Sequence, residues 1–198
     1  MKPQPFLYGR LVYLRGIERE DLKGPMLYWN DDHEVTRYLM RGAYPSTLMQ
    51  LEHAYEALQN SKTDIELAVI SKENHKHIGV TGLHALNGIT HSAEFRVLIG
   101  EKAYWGKGYG TEVVQLMLVY AFELLNLHKV WLGVNSANIA ALKSYQKAGF
   151  VQEGELRNEV YRNGRYYNAI RMSMLRNEYE ELKSTWNIFP EIREQFPR

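Results

Sequence analysis

The chain has 198 residues, with 24 Lys and Arg against 23 Asp and Glu, a formal net charge of +1 and no cysteine. That length accommodates one substantial core, and a charge so near zero gives no global attraction to nucleic acid or to an anionic membrane. Without cysteine there is no disulfide, no cysteine-ligated zinc and no cysteine nucleophile, a composition that suits a reducing cytoplasm.

No stretch approaches the ~18 uninterrupted apolar residues of a membrane span. The opening Met1-Lys2-Pro3-Gln4-Pro5 leads into a strand-like segment and not into the apolar run of a signal peptide. A cytoplasmic protein is expected, with residues 1–198 forming one domain and 177–198 a C-terminal extension.

The first predicted strand is Leu11 to Arg15. Glu20 to Tyr38 has helical spacing broken around Pro25 and Asn30-Asp31-Asp32, which predicts two short helices. Pro45-Ser46-Thr47 supplies a turn and a cap for a helix over Leu48 to Leu58, with Leu51, Tyr55 and Leu58 on one face. From Glu66 the pattern changes to short β-rich runs, Glu66 to Ile70, Ile78 to Leu83 and Glu94 to Ile99, separated by turn-rich segments and read as an antiparallel meander.

A strongly apolar helix follows over Gly110 to Leu125, then a buried strand over Lys129 to Val134 and a helix over Asn138 to Ala148. Strands Val151 to Leu156 and Tyr167 to Leu175 complete the set, with Arg162-Asn163-Gly164-Arg165 as a hairpin turn. The order predicts an α+β arrangement around one mixed, mostly antiparallel sheet flanked by helices. The tail carries Tyr179, Leu182, Trp186, Ile188 and Phe189, too apolar for a solvated end, and is expected to pack on the domain or on a second subunit.

The most informative segment is strand, glycine loop, helix: Phe95 to Ile99, then Trp105-Gly106-Lys107-Gly108-Tyr109-Gly110-Thr111. Glycines at alternate positions allow a tight turn whose N–H groups converge at the positive end of a helix dipole, a cradle for pyrophosphate. It is not a nucleotide P-loop, because five residues separate Gly100 from Gly106 and Lys107 precedes Gly108 instead of Ser or Thr. Nor is it a dinucleotide fingerprint, because Gly106, Gly108 and Gly110 give G-x-G-x-G.

Trp105 to Glu112 resembles the acetyl-CoA loop of the Gcn5-related N-acetyltransferases (the GNAT superfamily). The likeness is strongest to the branch of ribosomal-protein N-terminal, spermidine and amino-sugar acetyltransferases. The second half agrees: Val134-Asn135-Ser136-Ala137-Asn138 and Ser144-Tyr145-Gln146-Lys147-Ala148-Gly149-Phe150 resemble the family's second cofactor motif, in the right order and spacing. The resemblance covers Ile78 to Leu175. It implies the GNAT fold, acetyl-CoA as co-substrate, and cofactor contacts from Leu98, Ile99, Trp105, Gly106, Lys107, Gly108, Tyr109, Gly110, Thr111, Asn138 and Tyr145.

Asn138 and Tyr145 are seven residues apart and lie on nearly one helical face, where both can meet a cleft or serve as a cap and a core residue. Acetyl transfer from a thioester needs a neutral amine, stabilisation of a tetrahedral oxyanion and a proton for the departing thiolate. A phenol of ordinary pKa about 10 is protonated at neutral pH and, within hydrogen-bond reach, is a proton source. The resemblance gives that role to Tyr145, and gives the oxyanion to backbone N–H at a bulge near Leu98 or Ile99.

For the base, Glu94 leads and His84 on the neighbouring strand is second; either also reads as a structural residue. His75-Lys76-His77 lies in a polar turn without further ligands, so no metal is assigned. The expected function is acetyl transfer from acetyl-CoA directly to a primary amine in a ternary complex. The acceptor is a small amine or amino sugar, with the N-terminus of a ribosomal or other protein as the alternative. A non-catalytic acyl-CoA-binding module is the rival class. A homodimer is the expected association if there is one.

Overall fold

A computed structural model describes residues 4–186 of the chain. Eight strands form one sheet in the order β1-β2-β3-β4-β5-β6-β8-β7. They are β1 (Leu7–Tyr8), β2 (Val12–Gly16), β3 (Ile65–Ser71), β4 (His77–Asn87), β5 (Ser92–Ile99), β6 (Lys129–Asn135), β7 (Val151–Arg162) and β8 (Arg165–Leu175). The β5–β6 pair is parallel and the others are antiparallel. The predicted meander and hairpin are both present: Arg162 lies opposite Arg165, and Asn163 and Gly164 take φ of 52° and 76°. Two positive φ values in a two-residue loop are what matches the right-handed twist of the strands.

The helices cover the two faces unequally. On one face lie α3 (Tyr109–Val119), α4 (Ile139–Lys147) and α5 (Arg176–Leu182). The α3 side chains Val113, Val114, Leu116, Met117, Leu118 and Val119 are all buried, as expected of a helix apolar around its whole circumference. They pack with Leu14, Val69, Phe95, Val130, Leu132 and Met172 of the sheet. Tyr179, fully buried, and Trp186 join this core through rings 5.7 Å apart, so the start of the tail packs on its own domain. Ile188 and Phe189 lie outside the described residues.

The other face is covered by α1 (Met26–Trp29) and α2 (Leu48–Asn60), with Leu51, Tyr55 and Leu58 packing against Ala68, Ile70 and Val80. Thr47 and Gln50 cap α2 reciprocally, which fixes its start. The two short helical elements predicted between Glu20 and Tyr38 are present as a 3-10 turn over Arg19–Lys23 and as α1, broken at Pro25, but the helical pattern does not continue beyond Asn30. Asp32 Oδ1 instead accepts the amides of Glu34 and Val35 at 2.9 and 3.2 Å, and Thr36 Oγ1 donates to the Asp32 carbonyl at 2.9 Å. Such side-chain bonds offer the backbone a run of turns in place of a helix. Among the described residues no helix is long and apolar enough to cross a membrane.

Candidate active site

The parallel ladder is short. Ser92, Ala93 and Glu94 of β5 pair with Lys129, Val130 and Trp131 of β6. Beyond that, β5 continues to Ile99 along β4 and β6 continues to Asn135 along β8. The two strands separate after Glu94 and Trp131, leaving a wedge between Phe95–Ile99 and Leu132–Asn135 whose facing backbone groups have no ladder partner. Unpaired strand edges are potent hydrogen-bonding surfaces, and a ligand chain lying in the wedge would complete them.

Which amides face the wedge follows from the strand period. Gly100 N–H donates to the Ile78 carbonyl on β4 at 2.9 Å, so at period two Leu98 also points its backbone to β4, while Val97 and Ile99 point toward β6. Of the two residues expected to stabilise an oxyanion, Ile99 therefore has its N–H on the open side, and Leu98 spends its own in the ladder. The expected bulge is also displaced. The ladder from Glu94 to Ile99 shows no register shift, whereas the amides of Gly100 and Glu101 both donate to Ile78, at 2.9 and 3.1 Å, the two-on-one pattern of a bulge.

At the end of β5 the chain enters the glycine loop. Gly108 is the N-cap of α3 at φ +90°, with Gly106 at φ +70°, both in the left-handed region that favours glycine. No side chain caps this helix, so its first-turn N–H groups are available to an anion. A Cβ on Gly106 would meet no protein atom within 4 Å. The cradle is thus open and dipolar, and fits a pyrophosphate. Gly110 lies inside α3 and has no positive φ, so it needs no glycine for its backbone.

The loop's aromatic side chains face inward. Trp105 Nε1 donates to the Ile99 carbonyl at 2.7 Å, which ties the loop to the end of β5. Tyr109 is buried against Tyr104 edge to face at 4.9 Å. Lys107 is exposed. Glu112, buried in the first turn of α3, accepts the amides of Leu11 and Val12 at 2.7 and 3.0 Å, and burial pushes its carboxyl up. The loop is therefore held from both sides by contacts not legible in its own sequence.

The second motif meets the first through Thr111 and Ser144, whose hydroxyls are 2.8 Å apart. Asn138 is the cap of α4, its Oδ1 accepting the Ala141 amide at 3.2 Å. Asn135, at the open end of β6, was not singled out in the sequence; it is buried, its Oδ1 accepts the Ala137 amide at 2.9 Å, and its Nδ2 has no protein partner. The signal was its place in the same Val-Asn-Ser-Ala-Asn run.

Tyr145 packs edge to face on Phe95 at 6.3 Å and against Phe150 at 5.9 Å. Burial pushes its phenol up to about 12, although the residue as a whole keeps some solvent access. A phenol at that value is a weaker acid than a thiol near ~8.5, so complete proton transfer to a thiolate in water would run uphill. Desolvation of a thiol held in the same wedge would raise it in the same sense and narrow the gap.

Glu94 lies at the crotch of the wedge, opposite His84 on β4 and Trp131 on β6. Its Oε2 accepts Arg96 Nη2 at 2.7 Å. His84 is flanked by Asp64 Oδ1 at 3.3 Å and Glu66 Oε1 at 3.4 Å. Burial raises the Glu66 carboxyl, but His84, Arg41 and Arg96 outweigh it and hold the group below the usual carboxylate range. Sequence reasoning missed Asp64 and Glu66, because only the register of β3 on β4 brings them to His84. Glu94 and Phe95 are neighbours on one strand, so the two candidate bases and Tyr145 stand on opposite faces of the sheet with the wedge between them.

A family profile described as "Acetyltransferase (GNAT) domain" matches residues 11–151. Spermidine N(1)-acetyltransferase of Escherichia coli K12 is 34% identical over 168 residues, covering 85% of this chain and 88% of the relative. The crystal structure of spermidine N-acetyltransferase from Vibrio cholerae in complex with CoA and spermine superimposes with a TM-score of 0.79 at 32% identity, covering 86% of this chain and 98% of that one. A dodecameric structure of the Vibrio cholerae enzyme gives a TM-score of 0.72 at 31% identity, over 85% and 96% of the two chains. The likeness extends well before Ile78, and it overturns the rival reading of a non-catalytic module. The chain belongs to the GNAT acetyltransferases and is an acetyl-CoA-dependent N-acetyltransferase.

Proposed function

We propose that the acceptor is the primary amine of a small molecule, of the polyamine or amino-sugar class, and that it meets the acetyl thioester across the β5–β6 wedge. The observation that carries this reading is the placement of Glu94 and His84 on one face of the wedge and Tyr145 on the other. Polyamines are favoured by the names of the relatives and by the carboxylates of Asp64, Glu66 and Glu94 gathered around the approach to His84.

Acetyl-CoA supplies an activated acyl group, and the chain's residues do the rest. The loop from Gly106 to Thr111 holds the pyrophosphate at the start of α3. Ile99 N–H donates to the acetyl oxygen as negative charge develops there. Glu94 takes the proton lost by the attacking nitrogen, directly or through water, with His84 as the second candidate. Tyr145 donates its hydroxyl hydrogen to the departing sulfur as the carbon–sulfur bond breaks. Residues 1–198 are read as one domain, because Tyr179 and Trp186 belong to the same core as β2 and α3. A cysteine-free chain fits the reducing cytoplasm.

The test is release of CoA thiol from acetyl-CoA in the presence of spermidine, glucosamine or a short peptide with a free N-terminus. Release with spermidine or glucosamine and not with the peptide is the expected result. Release with the peptide alone would overturn the choice of acceptor.

A further inference from the structure

Arg162 closes β7 at the hairpin and is only 7% exposed. Its Nη2 donates to Thr36 Oγ1 at 3.2 Å, its Nε is buried without a partner, and among the described residues it forms no ion pair. Arg165 stands directly opposite across the turn, so two like charges face each other. Gly42 packs on this group closely enough that a Cβ there would collide with Thr36 Oγ1 and Arg162 Nη2. Arg41, the preceding residue, is exposed and close enough to act on the Glu66 carboxyl.

The nearby carboxylates do not offset this charge. Glu155 accepts Asn168 Nδ2 at 2.5 Å, and neither Glu155 nor Glu159 pairs with Arg162 or Arg165 among the described residues. A buried cation without a counter-ion is costly to keep, and a bound anion would offset that cost. From Glu94 the groups run through His84 and Glu66 by register and contact, and on to Arg41, Gly42 and Arg162, with Arg41 acting on Glu66 by its charge alone. The carboxylates lie at the transfer end, where Arg96 is paired with Glu94, and the guanidinium groups of Arg41, Arg162 and Arg165 lie at the far end.

We propose that Arg162, with Arg41 and Arg165, forms an anion subsite for the acceptor, so that the preferred substrate is an amine bearing a carboxylate or phosphate group remote from its nitrogen. This rests on the small-amine reading and departs from its preference for polyamines, which carry no anionic group: within that class it places acidic amines ahead of them. The planar guanidinium suits either anion by paired N–H donors, and its unpartnered Nε is the donor such pairing would use.

The experiment is calorimetric titration of the protein saturated with CoA, using matched pairs that differ by one anionic group: lysine against cadaverine for carboxylate, and phosphorylated glucosamine against glucosamine for phosphate. At least one anionic member is expected to bind about tenfold or more tightly than its counterpart, and Arg162→Gln is expected to erase that preference while CoA affinity stays unchanged. Arg162→Lys keeps the charge and should retain part of it, which separates anion binding from a role in folding. If no anionic member binds more tightly than its counterpart, or if the preference survives in a folded Arg162→Gln protein, the subsite is overturned. Turnover of any amine by the same preparation would leave the acetyltransferase reading standing.

Discussion

Thr111 Oγ1 and Ser144 Oγ lie 2.8 Å apart, and this contact joins the first turn of the helix behind the glycine loop to the helix that carries Tyr145. The cofactor cradle and the proposed proton donor are thereby held in one rigid unit, although 33 residues separate the two hydroxyls in sequence. Replacing either hydroxyl should loosen the placement of Tyr145 more than the fold. Thr111→Val and Ser144→Ala are expected to cost about 0.5–1.5 kcal/mol each in stability, and the double variant less than their sum. A double-mutant cycle by denaturant unfolding measures this; strict additivity would show the pair to be uncoupled.

The glycine loop separates two kinds of glycine. Gly108 sits at φ +90° at the cap of α3, where a β-branched residue is strained, so Gly108→Val should lose acetyl-CoA binding by calorimetry while the remaining fold persists. Gly110→Ala is a different case, because its Cβ would make only an ordinary contact with Ile99 Cγ1 at 3.9 Å, inside a helix. It should keep the melting temperature or raise it. Loss of the fold on Gly110→Ala would contradict this local account.

Much of this architecture was legible because it is local. The G-x-G-x-G run, the Asn-Gly hairpin and the Thr47 cap are each written within a few consecutive residues. The wedge was not legible, since it depends on β5 and β6 parting after one short ladder. The same holds for the carboxylates around His84, which come from β3 and the turn before it. The helical spacing up to Tyr38 holds only as far as Asn30; beyond it Asp32 wins, because its side chain binds the backbone amides of Glu34 and Val35.

Arg15 and Asp21 form a buried pair, with Nη1–Oδ2 at 2.6 Å and Nη2–Oδ1 at 2.7 Å. Burial alone raises the Asp21 carboxyl, but the Arg15 hydrogen bonds and the Glu18 amide outweigh it and lower the value. A lowered carboxyl contributes stability above its unfolded pKa of about 3.9 and loses it as pH falls through the folded value. Asp21→Asn should cost about 3 kcal/mol at neutral pH and flatten the acid limb of stability against pH. An unchanged acid limb would assign that loss to other groups.

The two candidate bases are distinguishable because they make different contacts. Glu94→Gln keeps the shape and removes the acceptor of a proton, so kcat should fall about 10²–10⁴-fold with acetyl-CoA affinity unchanged. His84→Gln should instead weaken acceptor binding, through loss of order at Asp64 and Glu66, and raise KM. The reverse pattern, with kcat lost in His84→Gln and retained in Glu94→Gln, would transfer the role to the histidine.

Tyr145 gives the most direct test of the proposed chemistry. Among the described residues its hydroxyl makes no hydrogen bond, and its ring is held by Phe95 and Phe150, contacts that phenylalanine reproduces. Tyr145→Phe therefore leaves no buried partner unsatisfied, and stability should stay within about 0.5 kcal/mol. The phenol, pushed up to about 12 by burial, remains protonated through the neutral range, so its own ionisation gives the parent no basic limb below about pH 10. What the variant loses is the donor that follows the charge onto sulfur. Single-turnover transfer with saturating acetyl-CoA and acceptor should slow about 10²–10⁴-fold while acetyl-CoA affinity changes little. With a leaving group less in need of a proton, such as an aryl thioester, the parent and variant rates should converge. A Tyr145→Phe rate within about threefold of the parent on acetyl-CoA would leave solvent to protonate the sulfur, and the alignment of Tyr145 with the wedge would then be a matter of packing alone.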